Sequence, residues 1–219
     1  MTEPAFLADT RASYDAIADD YAAMFDDELA ARPLDRALLG MFAELVRDTA
    51  VADVGSGPGR VTAYLAALGV DVFGVDLSPA MVELARRQNP GLRFEVGSMF
   101  ALDLPDAALG GLLARYSTIH VPTERLPEVF AEFHRVLAPG GHALVVFQAR
   151  TEPGRRTEAF GRAIALEYHR RPVDVVAAQM DAAGLAVRVR TVREPELELA
   201  FEYTPQAYLL GRKSGDRAG

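Results

Sequence analysis

The chain has 219 residues, half of them hydrophobic and a quarter charged, with a net charge of −8 and no cysteine. This length suits one α/β domain, and the lack of cysteine excludes disulfides, thiolate metal sites and a cysteine nucleophile. An acidic chain without a basic stripe is a poor nucleic-acid binder, because neutralising phosphates supplies most non-specific affinity. No apolar run is long enough to span a bilayer and no secretory signal is evident, so we expect a cytoplasmic protein with a small-molecule substrate and no membrane partner.

Two helices are predicted before the first strand. Residues 9–30 carry apolar side chains at spacings of three and four, among them Tyr14 and Tyr21, with acidic residues between them. A second helix is expected to begin near Pro33, a residue type that is favoured in the first turn. Residues 1–50 are therefore interpreted as a helical cap.

Strands and helices alternate from residue 51 onward. Strands are predicted at 51–55, 70–76, 92–96, 109–117 and 142–149, and helices at 60–69, 78–91 and 123–141. Several of the strands are apolar without alternation, as expected for strands that are covered on both faces. The repeated strand–helix order predicts a doubly wound, mostly parallel sheet.

The C-terminal part departs from this alternation. Residues 148–172 are long for an α/β connection and hold six arginines. We predict that 150–172 form an insertion or lid over the ligand edge of the sheet. A last helix and two closing strands follow. No linker marks a second domain, so one domain is expected over residues 1–213, with a disordered tail at 214–219.

The stretch VADVGSGPGR contains the most informative pattern. Asp53 ends the first strand, and Gly55, Gly57 and Gly59 form the turn into the next helix. Glycine backbone can adopt positive φ and approach a ligand closely, although a tight turn that binds nothing shows the same pattern. The spacing G-x-G-x-G differs from the G-x-G-x-x-G of dinucleotide-binding proteins.

Asp76 narrows the choice of ligand. It lies 21 residues after Gly55, at the end of the second predicted strand. A carboxylate at that position can accept hydrogen bonds from both hydroxyls of a ribose. The glycine spacing and Asp76 together predict a ligand that has a ribose and no pyrophosphate.

Five segments resemble successive motifs of the class I S-adenosylmethionine-dependent methyltransferases. They are VADVGSGPGR, VFGVDLSPAMVELAR, FEVGSMFALDLPD, LARYSTIHVP and FHRVLAPGGHALVVF. The resemblance runs from about residue 10 to the C-terminus and is especially marked for small bacterial, actinomycete-type members of unassigned substrate. It implies a Rossmann-like, seven-stranded, mostly parallel sheet of order 3-2-1-4-5-7-6 with strand 7 antiparallel. It also implies S-adenosylmethionine as the cofactor.

The resemblance indicates which residues hold that cofactor. Together with two residues that end the fourth strand, Arg115 and Tyr116, the expected cofactor-binding residues are Tyr14, Tyr21, Gly55, Ser56, Gly57, Asp76, Leu77, Met81, Gly97, Ser98 and Met99. Asp76 would bind the ribose. Many relatives have Asp where this chain has Ser98, so recognition of the adenine is expected to rely more on backbone amides. For Tyr14 and Tyr21, ordinary helix packing is the alternative to capping the cofactor.

Methyl transfer needs a general base only if the acceptor atom arrives protonated. His120, after the fourth strand, is the first candidate base; the alternative is a histidine that caps the following helix. Tyr116 is expected to face the substrate, and His169 in the insertion is a second candidate, with a solvated loop position as its alternative. The insertion arginines are either a solvated face or ligands for an anionic group of the substrate.

The leading hypothesis is a small-molecule methyltransferase. An enzyme of the same fold that uses the same cofactor for another reaction, and a non-catalytic module that senses the cofactor or binds a partner, remain open. A nicotinamide oxidoreductase is disfavoured by the glycine spacing. We expect no metal site, and either a monomer or a homodimer.

Overall fold

The computed structural model describes residues 4–25, 28–150, 152–196 and 202–215. Within these ranges the α-helices are α1 (Ala5–Met24), α2 (Pro33–Leu45), α3 (Arg60–Ala67), α4 (Pro79–Gln88), α5 (Leu126–Val136) and α6 (Val173–Ala182). The strands are β1 (Ala50–Val54), β2 (Asp71–Asp76), β3 (Phe94–Val96), β4 (Leu109–Arg115), β5 (Leu137–Gln148), β6 (Gly154–Ala159), β7 (Arg162–Tyr168), β8 (Leu185–Arg193) and β9 (Gln206–Lys213). The tail predicted at 214–219 lies outside the described residues from 216 onward.

The main sheet has the order β3-β2-β1-β4-β5-β9-β8. Strands β1 to β5 pair in parallel, and β9 is antiparallel to both β5 and β8. Strands β6 and β7 form a separate two-stranded sheet, so β8 and β9 are the sixth and seventh strands of the main sheet. The predicted order 3-2-1-4-5-7-6, with its antiparallel last strand, is therefore confirmed. The predicted doubly wound architecture is therefore the observed fold.

One predicted helix extends into an observed strand. The helix expected over 123–141 ends at Val136, and Leu137 is already extended and pairs with Leu109. Pro139 lacks an N–H for a helical hydrogen bond, and Gly140 adopts a φ of 82°. These residues make an irregular start to β5, whose register shifts before regular pairing resumes at His142.

The hydrophobic core lies on both faces of the sheet. Phe130 and Phe133 of α5 are fully buried in one cluster, and Phe42 of α2 and Leu65 of α3 are fully buried in the other. Burying a side chain of this size contributes about 1.5–3 kcal/mol. The central strands are thus fixed from two sides, and their carboxyl ends stay open at one edge.

The segment for which the sequence predicts an insertion contains a β-hairpin, formed by β6 and β7. Its turn, Phe160–Gly161, has positive φ at both residues, as in the tight turns that suit twisted hairpins. Ile164 and Leu166 of β7 pack with Ile17 of α1 in a small apolar cluster. The hairpin is thereby attached to the first helix, above the carboxyl edge of the sheet.

The glycine turn after β1 has three residues with positive φ: Gly55 at 78°, Gly57 at 53° and Gly59 at 83°. The Gly55 N–H donates to the Val75 carbonyl at 2.7 Å. A Cβ on Gly55 would lie 2.1 Å from the Cβ of Ser117, whereas a Cβ on Gly57 would have no neighbouring heavy atom within 4 Å. Packing therefore requires glycine at position 55, and position 57 faces open space.

We expect Gly55→Ala to destabilise the protein more than Gly57→Ala does. Both variants place alanine at positive φ, which costs about 1–2 kcal/mol, but only the first also displaces Ser117. Urea denaturation of the two variants measures the difference in the free energy of unfolding. Equal losses in the free energy of unfolding would show that the clash with Ser117 does not add to the cost of Gly55→Ala.

Candidate cofactor and acceptor site

A cavity of about 370 Å³ lies at the carboxyl ends of β1, β2 and β4, between α1 and the β6–β7 hairpin. Its size and its place are those of ligand sites in open α/β sheets. The residues predicted from the sequence that line this central cavity are Tyr14, Tyr21, Gly55, Ser56, Gly57, Asp76, Leu77, Met81, Gly97, Ser98, Met99, Arg115, Tyr116 and His120. His169 is the one predicted site residue that is not part of its wall.

The carboxylate of Asp76 is fixed beneath the glycine turn. Its Oδ2 accepts the Gly57 N–H at 2.7 Å, and its Oδ1 accepts the Ser78 N–H at 2.8 Å. Burial raises the pKa of this carboxyl above its ordinary value. A carboxylate oxygen can accept more than one hydrogen bond, so both oxygens keep capacity for ligand hydroxyls.

Asp53 is a cavity residue that the sequence reasoning did not select. It is the penultimate residue of β1, is 2% exposed, and its Oδ2 accepts a hydrogen bond from the Thr62 hydroxyl at 2.7 Å. Burial raises its pKa to about 6. The sequence signal that could have identified Asp53 is an acidic residue near the end of an otherwise apolar strand, since a buried carboxylate needs a polar or charged partner.

The two serines of the cavity wall, Ser56 and Ser98, differ in their hydrogen bonds. The Ser56 hydroxyl is buried and has no hydrogen-bond partner among the described residues. It lies against Gly74, where an added Cβ would approach it to 2.6 Å. The Ser98 hydroxyl accepts the Phe100 N–H at 3.3 Å, within its own loop. The Ser98 hydroxyl is thus engaged within its own loop, and the Ser56 hydroxyl is enclosed by protein atoms.

His120 and Tyr14 are hydrogen-bonded to each other across the cavity wall. The distance from Tyr14 Oη to His120 Nε2 is 2.8 Å, and that from His120 Nδ1 to the Glu167 carbonyl oxygen is also 2.8 Å. Burial lowers the pKa of His120 to about 4 and raises that of Tyr14 well above its ordinary value. The pair is neutral near pH 7, and the predicted base has its lone pair engaged.

Aromatic rings extend from this pair along α1. The Tyr14 and Tyr21 rings meet edge to face at 5.6 Å, the Tyr21 and Phe25 rings are 4.7 Å apart, and the Tyr168 ring lies 5.0 Å from the His120 ring. Contacts of this kind favour a rigid, apolar wall. Burial raises the pKa of Tyr21 to about 12, so its hydroxyl also stays neutral.

Arg115 and Tyr116 end β4 with different roles. Arg115 is held by the carboxylates of Asp35 at 3.0 Å and Glu28 at 3.3 Å, and its guanidinium lies 4.7 Å from the centre of the Tyr116 ring. The charge of Arg115 is thus matched within the protein. Tyr116 has a φ of 53°, and its buried hydroxyl has no hydrogen-bond partner in the described part of the chain. Such strain is typical of functional sites.

Residues 51–141 match the protein-family model described as "Methyltransferase domain". The demethylmenaquinone methyltransferase of Chlorobaculum parvum is 34% identical over 101 residues, which are 46% of this chain and 41% of that protein. The corresponding protein of Renibacterium salmoninarum is 30% identical over 148 residues, 62% of each chain. The chain thus spans less than two thirds of either relative.

A crystal structure of 1,6-didemethyltoxoflavin-N1-methyltransferase from Burkholderia thailandensis, with bound 1,6-didemethyltoxoflavin and S-adenosylhomocysteine, is also similar. It is 25% identical, with a TM-score of 0.74, and the match covers 98% of this chain and 92% of that one. Residues 51–141 therefore match a methyltransferase domain, and the whole chain is similar to a methyltransferase whose structure holds S-adenosylhomocysteine. The resemblance seen in the sequence is confirmed, and S-adenosylmethionine is the cofactor it indicates.

The central cavity fits this cofactor. The space above Gly57 leaves room for a ligand against bare backbone, and Asp76 supplies acceptors for ribose hydroxyls. Leu77 and Met81 give an apolar surface for a purine. Asp53 supplies a carboxylate at the end of β1, opposite in charge to an ammonium group.

His169 does not line the central cavity. It directly follows Tyr168, the last residue of β7, and it is absent from the cavity wall to which Tyr168 belongs. The His169 N–H donates to the Ile119 carbonyl at 2.7 Å. The predicted contact of His169 with the substrate is therefore not supported, and the residue joins the hairpin to the loop of His120.

The six arginines of the insertion separate into two groups. Arg155, Arg156 and Arg170 line the cavity, and Arg170 donates to Gln148 Oε1 at 3.1 Å. Arg162 pairs with Asp20 at 3.1 Å on the outside. Arg150 is exposed, and Arg171 is 2% exposed and donates to backbone carbonyls. The first group is the one positioned to meet a substrate.

A buried ion network supports the wall behind Arg115. Asp35 is 2% exposed and also accepts the Tyr208 hydroxyl at 2.8 Å, while Arg32 pairs with Glu28 at 3.2 Å and with Glu202 at 2.9 Å. The network joins three chain segments far apart in sequence. The spacing of these charged residues along the chain does not indicate the ion network, so only the structure reveals it.

Within the described residues, no helix combines the length and apolar character needed to cross a bilayer. The same residues contain no group of three or more His, Asp or Glu side chains arranged to hold a metal ion.

We expect Asp35→Asn to lower the free energy of unfolding by about 3–5 kcal/mol, because Arg115 would lose its buried partner. The control is Asp174→Asn, which breaks an exposed pair with Arg190 (2.8 Å) and is expected to cost less than about 1 kcal/mol. Urea denaturation of both variants measures the two losses. A similar small loss in each would show that the buried network is not important for stability.

Proposed function

We propose that the chain transfers a methyl group from S-adenosylmethionine to a small-molecule acceptor. The observation that carries the proposal is the Asp76 carboxylate, held against the Gly57 N–H and facing a cavity at the carboxyl edge of the sheet. The names of the similar proteins support a small acceptor, since they refer to demethylmenaquinone and to 1,6-didemethyltoxoflavin.

The cavity divides into two parts on this proposal. The cofactor part is formed by the glycine turn, Asp76 and the loop at Gly97. The acceptor chamber is formed by Tyr116, His120 and the inner face of the β6–β7 hairpin. The acceptor chamber keeps the reacting atoms away from bulk water and holds them in line.

When bound, the cofactor supplies a methyl group that its sulfonium has already activated. The chain therefore contributes mainly position, and fixing two reactants in line is worth about 7–11 kcal/mol. The polar groups at the acceptor chamber, Tyr116 and His120, favour a catalytic site over a module that only senses the cofactor. Another reaction of the same bound cofactor would use the same residues, and the mass of the product distinguishes the two.

The chemistry of the hairpin favours an acceptor that also carries an anionic group. Arg155, Arg156 and Arg170 line the acceptor chamber, while the hairpin carboxylates Glu158 and Glu167 do not. Guanidinium groups bind carboxylates and phosphates with two parallel hydrogen bonds. We place the anionic group at this side of the acceptor chamber.

We expect Asp76→Ala to weaken S-adenosylmethionine binding by about 100-fold or more, because two charge-assisted hydrogen bonds to the ribose are lost. Asp71→Ala, at the exposed start of the same strand, is the matched control and should bind as the native chain does. Titration calorimetry with S-adenosylmethionine and with NAD measures both. Preferential binding of NAD, or unchanged binding by Asp76→Ala with retained fold, would overturn the proposed function.

Cofactor binding should strengthen as pH rises from 5 to 7. Below a pKa of about 6 the Asp53 carboxyl is protonated and neutral, and above it the carboxylate attracts the ammonium group of the cofactor. The Asp53→Asn variant keeps the shape and an acceptor for Thr62, and it should bind weakly with a flatter pH dependence. Calorimetry at several pH values tests this. The same pH dependence of cofactor binding in the native chain and in Asp53→Asn would exclude Asp53 as the cause of that dependence.

A further inference from the structure

We propose that Tyr14 contacts the acceptor as a hydrogen-bond acceptor only, so that the site selects a methyl acceptor whose reacting atom carries a proton, as a neutral hydroxyl or N–H group. This inference rests on the proposed function and adds the chemical class of the acceptor. It makes Tyr14 a catalytic residue and His120 a positioning residue.

The polarity of the Tyr14–His120 bond follows from a backbone carbonyl. The Glu167 oxygen can only accept, so the His120 Nδ1 at 2.8 Å must carry a hydrogen. The neutral imidazole then has a bare lone pair on Nε2, which lies 2.8 Å from the Tyr14 hydroxyl. Tyr14 must donate its only proton to His120 and keeps nothing but lone pairs for a ligand.

The fold holds His120 in this orientation. His120 ends the short 3-10 turn Thr118–His120, whose Thr118 carbonyl accepts from Arg171 at 3.3 Å and whose Ile119 carbonyl accepts from the His169 N–H at 2.7 Å. Tyr168 covers the imidazole at a ring distance of 5.0 Å. Rotating the His120 ring by half a turn would break its hydrogen bonds with both Tyr14 and the Glu167 carbonyl.

The surrounding groups keep both partners neutral. His120 is 6% exposed and faces Tyr14, Tyr168, His169 and the Arg171 guanidinium, so that a second proton is disfavoured. Tyr14 faces Tyr21, Tyr168, Asp76 and Arg156, and burial raises its pKa. Neither partner gains or loses a proton at rest near pH 7.

This polarity discriminates between classes of acceptor. A hydroxyl or N–H group of the acceptor donates to the Tyr14 oxygen. This hydrogen bond also directs the lone pair of the reacting atom away from Tyr14. A carboxylate or thiolate has no proton to donate and would set its lone pairs against those of Tyr14. The buried position of Tyr14 makes that repulsion stronger than it would be in water.

The proton has a defined route. When the acceptor atom takes the methyl group, its lone pair forms the new bond to carbon, and the carbon–sulfur bond breaks with its electron pair left on sulfur. The proton of the acceptor atom passes to Tyr14 Oη, and the Tyr14 proton passes to His120 Nε2. The resulting imidazolium, which still donates from Nδ1 to Glu167, returns a proton to solvent.

Nitrogen-15 NMR of the full chain with S-adenosylhomocysteine tests the polarity without turnover. We expect His120 to show a protonated Nδ1 and an unprotonated Nε2, with the Nε2 resonance shifted by the hydrogen bond from Tyr14. In Tyr14→Phe the Nε2 resonance should move to the position of a free lone pair, whereas Tyr64→Phe should leave it unchanged. A hydrogen on Nε2 in the native chain would overturn the inference.

Labelled S-adenosylmethionine, with paired aromatic acceptors that differ only in carrying a hydroxyl, amine, carboxylate or thiolate, tests the selectivity. We expect methylated hydroxyls or amines, and a kcat about 100-fold or more lower for Tyr14→Phe, as for the loss of a general base, with cofactor affinity retained. Preferred methylation of carboxylates or thiolates overturns the inference and leaves the proposed function standing. Failure to bind S-adenosylmethionine overturns the proposed function instead.

Discussion

The parallel pairing of β2, β1 and β4 is the constraint on which the site depends. In a parallel sheet all strands end at the same edge, so Asp53, Asp76 and Arg115, which close three different strands or lie next to their ends, meet within one cavity. Regular pairing from Val51↔Val72 to Val54↔Val75 brings the glycine turn beside the end of β2. There the Gly57 N–H reaches Asp76, and the cofactor surface follows from that contact.

Above this edge, the molecule builds a chamber from parts that are distant along the chain. Helix α1 brings Tyr14, the loop after β4 brings His120, and β7 brings the Glu167 carbonyl and the Tyr168 ring. The apolar contact between α1 and the hairpin fixes their relative position. The Tyr14–His120 hydrogen bond is thereby set in a wall where His120 is buried, and hydrogen bonds in such surroundings influence one another strongly.

Much of the fold and of the cofactor part could be predicted from the sequence. Apolar strands alternating with helices specify a parallel sheet, and the spacing of Gly55, Gly57 and Asp76 has a local chemical meaning. The prediction failed where local pattern is ambiguous. Helix α5 ends before the predicted position because Pro139 and Gly140 follow it, and His169 lies after the end of β7, outside the cavity wall to which Tyr168 belongs.

The sequence by itself determined the alternation of strands and helices, the glycine turn and the acidic residue that ends β2, because these features depend on neighbours within a few residues. The order of the sheet came from the resemblance to a known family. Only the tertiary structure decided the direction of the Tyr14–His120 hydrogen bond and the pairing of the Arg115 charge. The direction of the Tyr14–His120 bond depends on a carbonyl 47 residues away from His120, and the charge of Arg115 is balanced by Asp35, 80 residues away. Hydrogen-bond polarity and charge pairing are properties of groups that meet in space, and spacing along the chain does not encode them.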